Sequence, residues 1–291
     1  MNAKEVKLVL NQLGVKPRKN KGQNFLVDEN IAKKIVNSAD ISKEDVILEI
    51  GPGLGALTEH LIHVAKKVIL VEIEPQFCSY LSNKFESYQN FEIINNDILN
   101  IDLPYHDKVV SNIPYTITGS LLEKIFFKND PPSGTLVIEK SIEERINDAQ
   151  KYKKISRIGI CVRSFMNPTY MNDISPRSFY PIPNIALSLL KLEKKGSIDP
   201  FLLDKENIEF FLRFIAGIMP YKNKNIVNAI VLCLKNHHDK HIPKSDIFTI
   251  LKKNRLKNIK SFNYGVSELL DLSKLVYKSF YKSQHNIPMK S

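Results

Sequence analysis

The chain has 291 residues, enough for one large domain with a small companion or for two modest ones, and its 43% apolar content supports a real core. Three widely spaced cysteines, Cys78, Cys161 and Cys233, exclude a disulfide framework and show no paired metal spacing, so a reducing compartment, the cytoplasm, is expected and a metal is not. No apolar run approaches the ~20 residues of a membrane span, and Lys4, Glu5 and Lys7 argue against a secretory start, so no membrane partner is expected.

The net charge of +11 fits a polyanionic partner, and its distribution says more than its total. Residues 1–22 hold six Lys and Arg against one acid, and residues 200–291 hold sixteen against seven. Residues 23–199 hold twenty against twenty-three. A near-neutral body with basic flanks suits a catalytic core with nucleic-acid grips. The alternative is a lysine-biased, solvated surface.

In chain order, residues 4–13 are predicted as a short helix stopped by Gly14. The basic loop Lys16-Pro17-Arg18-Lys19-Asn20-Lys21-Gly22 follows and cannot pack a core. Gln23-Asn24-Phe25-Leu26-Val27 leads to Asp28, a side chain able to cap a helix through about residue 38. Residues 46–50 then read as a buried strand that runs into Gly51, Gly53 and Gly55, with a helix from about residue 56 to 64. Glycine allows a positive φ and close approach of backbone to a ligand. The helix N-terminus aims free N–H groups at negative charge. A second strand, residues 68–71, ends in Glu72, twenty-one residues after Gly51, where a carboxylate suits the ribose hydroxyls of a nucleoside cofactor. Without a ligand, the same pattern is an ordinary tight strand-to-helix turn.

Pro75 opens the next helix, to about residue 85. A third strand, 91–94, ends at Asn95-Asn96-Asp97, and a fourth, 108–111, ends at Asn112-Ile113-Pro114-Tyr115. A helix over 121–127, a fifth strand over 135–139 and a helix capped by Ser141 complete the alternation. Such alternation predicts an α/β fold, a Rossmann-like doubly wound and mostly parallel sheet. Ligands bind such sheets at the carboxyl ends of strands, where Gly51, Glu72, Asp97 and Asn112 all fall. Prolines break up residues 155–192, the last strand is expected over 187–192, and 196–200 reads as a boundary. Helices over 207–219, 226–234, 245–253 and 266–275 predict a small all-α domain over 200–291. The organisation is thus a basic extension (1–22), a cofactor domain (23–196) and a helical domain (200–291).

Asn112-Ile113-Pro114-Tyr115 has the shape of a base-handling segment. The Asn side-chain oxygen and the Pro114 carbonyl can each accept one hydrogen of an exocyclic amine and so aim its lone pair at an electrophile. Proline stiffens the carrier of that carbonyl, and Tyr115 offers a flat face to an extruded base. An Asn-x-Pro turn with no such role is the competing reading.

With Glu49-x-Gly51-x-Gly53 after the first strand, this segment resembles the amino-group methyltransferases that use S-adenosylmethionine. Gly22-Gln23-Asn24-Phe25-Leu26 followed by Asp28, together with Ser178-Phe179-Tyr180-Pro181-Ile182-Pro183, resembles the rRNA adenine N6,N6-dimethyltransferase family, the KsgA/Erm class. The match runs from about residue 18 to 195, with four motifs in order, and the tail resembles the family's second domain. The resemblance implies a class I methyltransferase domain, S-adenosylmethionine as cofactor and a C-terminal RNA-binding domain. It implies that Asn24 and Leu26 close over the methionine end. Gly51 and Gly53 would approach the cofactor, Glu72 would take the ribose hydroxyls, and Asp97 would accept from the adenine amine. Asn112 and Pro114 would hold the target amine, Tyr115 would stack on the target adenine, and Phe179 would form a second aromatic wall.

Within the family the chain looks more like the small-subunit rRNA enzymes of archaeal and eukaryotic type than like the resistance enzymes. The implied substrate is a pair of adjacent adenosines in the 3′-terminal hairpin loop of small-subunit rRNA, met in a pre-small ribosomal subunit during ribosome biogenesis by a monomer. Residues 220–229 carry fewer positive charges than the family's usual basic stretch, and residues 149–154 replace a more Gly- and Pro-containing loop. Both departures bear on RNA docking rather than on the chemistry. Two further stretches stand out less. His237, His238 and His241 read as a solvated helix end rather than a metal site, and the run 252–257 is either a phosphate contact or a solvated basic face. Three alternatives stay open: a large-subunit rRNA methyltransferase of resistance type, a ribosome-assembly factor on the same fold, and an NAD-dependent oxidoreductase. The last leaves the Asn112 segment and the basic flanks unexplained.

Overall fold

The computed structural model describes residues 1–17, 23–148, 155–238 and 240–281. Helix α1 (Ala3–Gln12) starts in a capping box, in which Asn2 accepts from the Lys4 and Glu5 amides and Glu5 reaches back to the Asn2 N–H. Strand β1 (Phe25–Leu26) precedes α2 (Glu29–Asn37), which Asp28 caps by accepting from the Asn30 and Ile31 amides, as the sequence predicts. Then come β2 (Val46–Ile50), α3 (Thr58–Val64), β3 (Lys67–Glu72) and α4 (Pro75–Lys84), opened by its proline. They are followed by β4 (Phe91–Asn95), β5 (Lys108–Asn112), α5 (Thr118–Phe126), β6 (Ser133–Glu139) and α6 (Lys140–Asn147). Ser141 does not cap α6: it lies inside the first turn and donates to the Glu139 carboxylate.

Helix α7 (Arg157–Phe165) leads into β7 (Met166–Ile174), β8 (Phe179–Tyr180) and β9 (Leu187–Lys194). The last four helices are α8 (Lys205–Ile218), α9 (Ile226–His238), α10 (Lys244–Lys253) and α11 (Val266–Phe280).

The chain divides into two compact units. The first, Met1–Phe126, Asp130–Glu143 and Met166–Lys194, holds a seven-stranded sheet in the order β4-β3-β2-β5-β6-β9-β7. Strands β2 to β6 pair in parallel, whereas β9 is antiparallel to both β6 and β7. From β2 the chain winds one way to β3 and β4 and the other way to β5 and β6, so the topological switch lies between β2 and β5. The strands at this centre are nearly continuous apolar runs because helices cover both faces. Ile47, Leu61, Val68, Leu70, Val110, Val137 and Leu189 share one buried cluster, and each such side chain contributes about 1.5–3 kcal/mol on burial.

Two elements depart from expectation. Strand β7 runs through Pro168, which sits opposite Leu192 of β9. It is the edge strand of the sheet, so the missing N–H faces away from the single ladder it makes, and a bulge between Tyr170 and Asn172 relieves the register. Helix α7, most of whose residues are buried, lies in the stretch 155–192 for which the sequence predicts only the last strand.

The second unit, Phe127–Asn129, Glu144–Phe165 and Lys195–Ser291, is all helical among its described residues. Phe165 stacks on Phe127 at 5.5 Å and meets Phe211 edge-on at 6.3 Å. Arg163 donates from Nε to the Ile146 carbonyl at 2.7 Å and from Nη2 to the Asn147 carbonyl at 2.8 Å, closing the end of α6. No helix among the described residues is long and apolar enough to cross a membrane.

Candidate active site

The carboxyl ends of β2, β3, β4 and β5 are stitched together by short hydrogen bonds. The Gly51 N–H donates to the Val71 carbonyl at 2.9 Å, and the Ser111 hydroxyl donates to the Ile50 carbonyl at 2.6 Å. The Asn95 side chain donates to the Glu72 carbonyl at 2.9 Å, and the Ile113 N–H to the Val137 carbonyl at 3.1 Å. A cavity of about 330 Å³ opens over these ends. Asn24, Leu26, Gly51, Gly53, Glu72, Asp97, Asn112 and Pro114 all line it, so the structure brings together eight of the ten site residues read from the sequence.

The glycines have separate tasks. Gly51, Gly53 and Gly55 adopt φ of +64°, +56° and +79°, conformations that cost other residues. A side chain at Gly53 would lie 3.1 Å from the Phe25 ring, so the bare backbone lets β1 close over the turn. A side chain at Gly55 would lie 2.8 Å from Leu81 and 2.9 Å from Phe85 of the adjacent helix region.

The acids are held in different ways. Glu72 accepts from the Gly53 N–H at 3.1 Å and the Glu74 N–H at 3.0 Å, one bond on each carboxylate oxygen. Burial raises its pKa, and those backbone bonds oppose the rise. Asp97 accepts from the Leu99 N–H at 2.9 Å and from the Asn100 amide at 3.3 Å, which fixes its loop. Lys124 clamps the same loop by donating to the Leu99 carbonyl at 2.9 Å and the Ile101 carbonyl at 2.6 Å.

A third acid escaped the sequence analysis as a site residue. Glu49 lies within β2, is 2% exposed and lines the cavity. Its Oε2 accepts from the Thr58 hydroxyl at 2.6 Å, and burial pushes its carboxyl up to about 8. The signal was legible as a charged residue inside the apolar run Val46-Ile47-Leu48-Glu49-Ile50.

Asn112 is oriented by its amide. Its Nδ2 donates to the Asn24 carbonyl at 3.2 Å, which turns Oδ1 the other way. That oxygen is buried and has no hydrogen-bond partner among the described residues. Buried acceptors are seldom left open, so this atom is poised for a donor from outside the chain. The Pro114 carbonyl accepts from the Ile117 N–H at 3.2 Å and keeps a second lone pair.

Two site residues are not brought to the cavity lining. Phe179 is 1% exposed and sits in the main core cluster. Strand β1 pairs with β8 in the register Phe25 with Tyr180 and Leu26 with Phe179. Successive residues face opposite ways. Phe25 and Tyr180 therefore turn toward the α1 side chains Val6 and Leu10, and Leu26 and Phe179 turn into the core. Tyr115 is half-buried against that same core, while its neighbours Thr116 and Ile117 line the cavity. Burial pushes its phenol up to about 12, against the effect of the Asn24 side chain.

Gly22 and residues 149–154 lie outside the described residues, as do the side chains of His237 and His238. Among the described residues, no group of three or more His, Cys, Asp or Glu is placed to hold a metal ion.

A doubly wound sheet with an antiparallel strand beside β6 and a cavity over the switch point is the class I methyltransferase fold. The sequence pattern of the ribosomal RNA adenine dimethylase family matches residues 14–267, and the chain belongs to that family. It is 35% identical over 237 residues to ribosomal RNA small subunit methyltransferase A of Clostridium botulinum (strain Langeland), covering 79% of this chain and 84% of that protein. It is 29% identical over 256 residues to the probable ribosomal RNA small subunit methyltransferase A of Methanococcoides burtonii, covering 88% and 92%. The crystal structure of a dimethyladenosine transferase from Plasmodium falciparum superposes with a TM-score of 0.75 at 25% identity, covering 89% of this chain and 98% of that one.

Proposed function

We propose that the chain transfers methyl groups from S-adenosylmethionine to N6 of two adjacent adenosines in the 3′-terminal hairpin loop of small-subunit rRNA, giving dimethyladenosine during ribosome biogenesis. Family membership and the names of its bacterial and archaeal relatives support the reaction and the substrate. One observation carries the cofactor. The cavity is lined by Glu49, Glu72 and Asp97, and no Lys, Arg or His occurs among the described residues lining it. Such a lining suits a ligand that brings positive charge and hydroxyl donors. It opposes the pyrophosphate of a dinucleotide, which needs compensating donors or cations.

S-adenosylmethionine supplies a methyl group on a cationic sulfur. The chain supplies position. Glu72 takes the ribose hydroxyls and Asp97 the adenine amine, while Asn24 and Leu26 cover the methionine end above Gly51 and Gly53. Asn112 Oδ1 and the free lone pair of the Pro114 carbonyl accept the two N6 hydrogens of the target, and the Tyr115 ring, half-exposed beside them, offers the base a flat face. Holding the amine in line with the methyl group is worth up to roughly 7–11 kcal/mol of the barrier in well-oriented systems. The amine acquires positive charge as it attacks, and the two acceptors stabilise that charge. The helical segment 200–291, with the run Lys252-Lys253-Asn254-Arg255-Leu256-Lys257 at the end of α10, grips RNA phosphates, which makes binding steeply salt-dependent.

The test is transfer from radiolabelled S-adenosylmethionine to small ribosomal subunits lacking the dimethyl mark, with large-subunit RNA as control. Label in N6,N6-dimethyladenosine of small-subunit RNA alone is expected. Label in large-subunit RNA would assign the resistance-type reaction instead, and no label with intact cofactor binding would leave the assembly-factor reading.

A further inference from the structure

Three carboxyl groups in one cavity cannot all be charged cheaply, and their surroundings decide which one yields. Asp97 is partly exposed and accepts two hydrogen bonds. Glu72 is buried but holds a backbone N–H on each oxygen. Glu49 is deeper still, and its donors are neutral: the Thr58 hydroxyl, with the Thr58 backbone N–H also favouring the anion. A buried carboxylate with so little compensation is strongly disfavoured. The charged groups that act on Glu49 are Glu72 from β3, which opposes ionisation, and Lys84 from α4, which favours it. The Lys84 ammonium is already committed, at 3.0 Å to Glu59 Oε2 and 3.3 Å to the Leu54 carbonyl. Helix α3 presents the neutral Thr58, and the end of β5 presents Ser111 and Asn112, neither of which titrates.

We propose that Glu49 is a proton-coupled binding group for the cationic methyl donor: it is a neutral acid while the cavity is empty of ligand and ionises as the donor binds. This rests on the S-adenosylmethionine reading above. The step is a simple dissociation. The carboxyl O–H breaks, the electron pair stays on Glu49, and the proton leaves to the buffer. A group at about 8 is about 0.9 protonated at pH 7, so nearly one proton is available per binding event. The donor brings a sulfonium and an ammonium into the acid-lined cavity. The product of methyl transfer, S-adenosylhomocysteine, keeps the ammonium and has a neutral sulfur. The loaded cavity therefore favours the Glu49 anion more before methyl transfer than after it, and reprotonation accompanies the change from donor to product. Donor and product affinities thus acquire different pH dependences from a residue away from the Asn112 segment.

The experiment is calorimetric titration of the full chain with S-adenosylmethionine at pH 7 in phosphate, imidazole and Tris, whose ionisation enthalpies differ widely. The slope of observed heat against buffer enthalpy counts protons exchanged. Net proton release on donor binding is expected, with clearly less for S-adenosylhomocysteine. Glu49→Gln should bind donor with a slope near zero. Thr58→Val removes the hydroxyl bond that favours the anion and keeps the backbone N–H, so its proton release should persist and move to higher pH, a readout that stands even where Glu49→Gln folds poorly. Equal heats across buffers in the wild-type protein would overturn the proposal. An unchanged slope in Glu49→Gln would do the same and assign the proton to Glu72. Absence of any binding heat with either compound would remove the cofactor reading itself, a failure distinct from buffer-independent binding.

Discussion

Replacing Asn112 by Ala should separate function from folding, because the two hydrogen-bonding ends of its amide have opposite energetic roles. The Nδ2 bond to the Asn24 carbonyl at 3.2 Å is a neutral contact worth about 0.5–1.5 kcal/mol. The buried, unpartnered Oδ1 costs the ligand-free protein about 1–3 kcal/mol. Deleting both leaves a net change in unfolding free energy between a loss of about 0.5 and a gain of about 2.5 kcal/mol. The reaction has no such offset. An acceptor fixed against a developing positive charge is worth about 2.7–4 kcal/mol, so the rate of methyl transfer should fall about 10²- to 10³-fold. Urea unfolding, calorimetric cofactor affinity and single-turnover transfer to unmethylated small subunits would be measured together. A rate within threefold of wild type would refute the reasoning. So would a loss of stability above about 3 kcal/mol that accounts for the lost activity, since Asn112 would then be a structural residue.

Gly55→Ala must accept both a φ of +79° and a methyl group 2.8 Å from Leu81, so urea unfolding should register a loss of about 2–4 kcal/mol. Gly196→Ala, with nothing within 4 Å of the new methyl, is the control and should change stability by less than about 0.5 kcal/mol. Phe179→Ala should cost about 3–5 kcal/mol as a core cavity while the folded fraction keeps kcat within about tenfold; lost activity at unchanged stability would return the ring to the reaction. The ligand-free protein should lose stability as pH rises. Glu49 titrates at about 8 when folded against about 4.5 when unfolded. The stability it contributes is therefore complete below pH 4.5 and lost as pH passes 8, up to roughly 5 kcal/mol. The raised pKa of Glu72 acts with the same sign. Thermal melts of wild type and Glu49→Gln across that range check it, and parallel curves for the two would exclude Glu49 as the source.

The parts of the site that were legible in the sequence are those set by local chemistry. Strand ends, the three glycines, the Asp28 cap and the Pro75 helix start are each written in a few adjacent residues, and a parallel sheet then carries Gly51, Glu72, Asp97 and Asn112 to one edge. What was missed depends on partners distant in sequence. Pro168 reads as a breaker until β7 is known to be an edge strand. Helix α7, Arg157-Ile158-Gly159-Ile160-Cys161-Val162-Arg163-Ser164-Phe165, is only nine residues long, too short for periodicity alone to separate helix from strand. That Phe179 joins the core cluster depends on residues far from it in sequence, among them Leu26, which it pairs with across β1 and β8. The chemistry of Glu49 was hidden because a carboxyl in an apolar strand reveals its state only once Thr58 and the cavity are located around it.

The smallest sheet in the molecule sets the order in which the site can be completed. Strand β1 pairs with β8, and just beyond Leu26 the Val27 N–H donates to the Ser178 carbonyl at 2.8 Å and the Ser178 hydroxyl to Asp28 at 3.1 Å. These contacts span 150 residues. A growing chain that has emerged through β6 already owns every strand end that carries Gly51, Glu72, Asp97 and Asn112. It has no partner for the segment bearing Asn24 and Leu26. Closing so long a loop is slow compared with local helix and strand formation. The floor of the cavity is therefore an early product of synthesis and its cover a late one, fixed only after residue 180 has been made. A cofactor that needs both is bound only by chains that have passed residue 180, so cofactor binding reports that β1 has met β8.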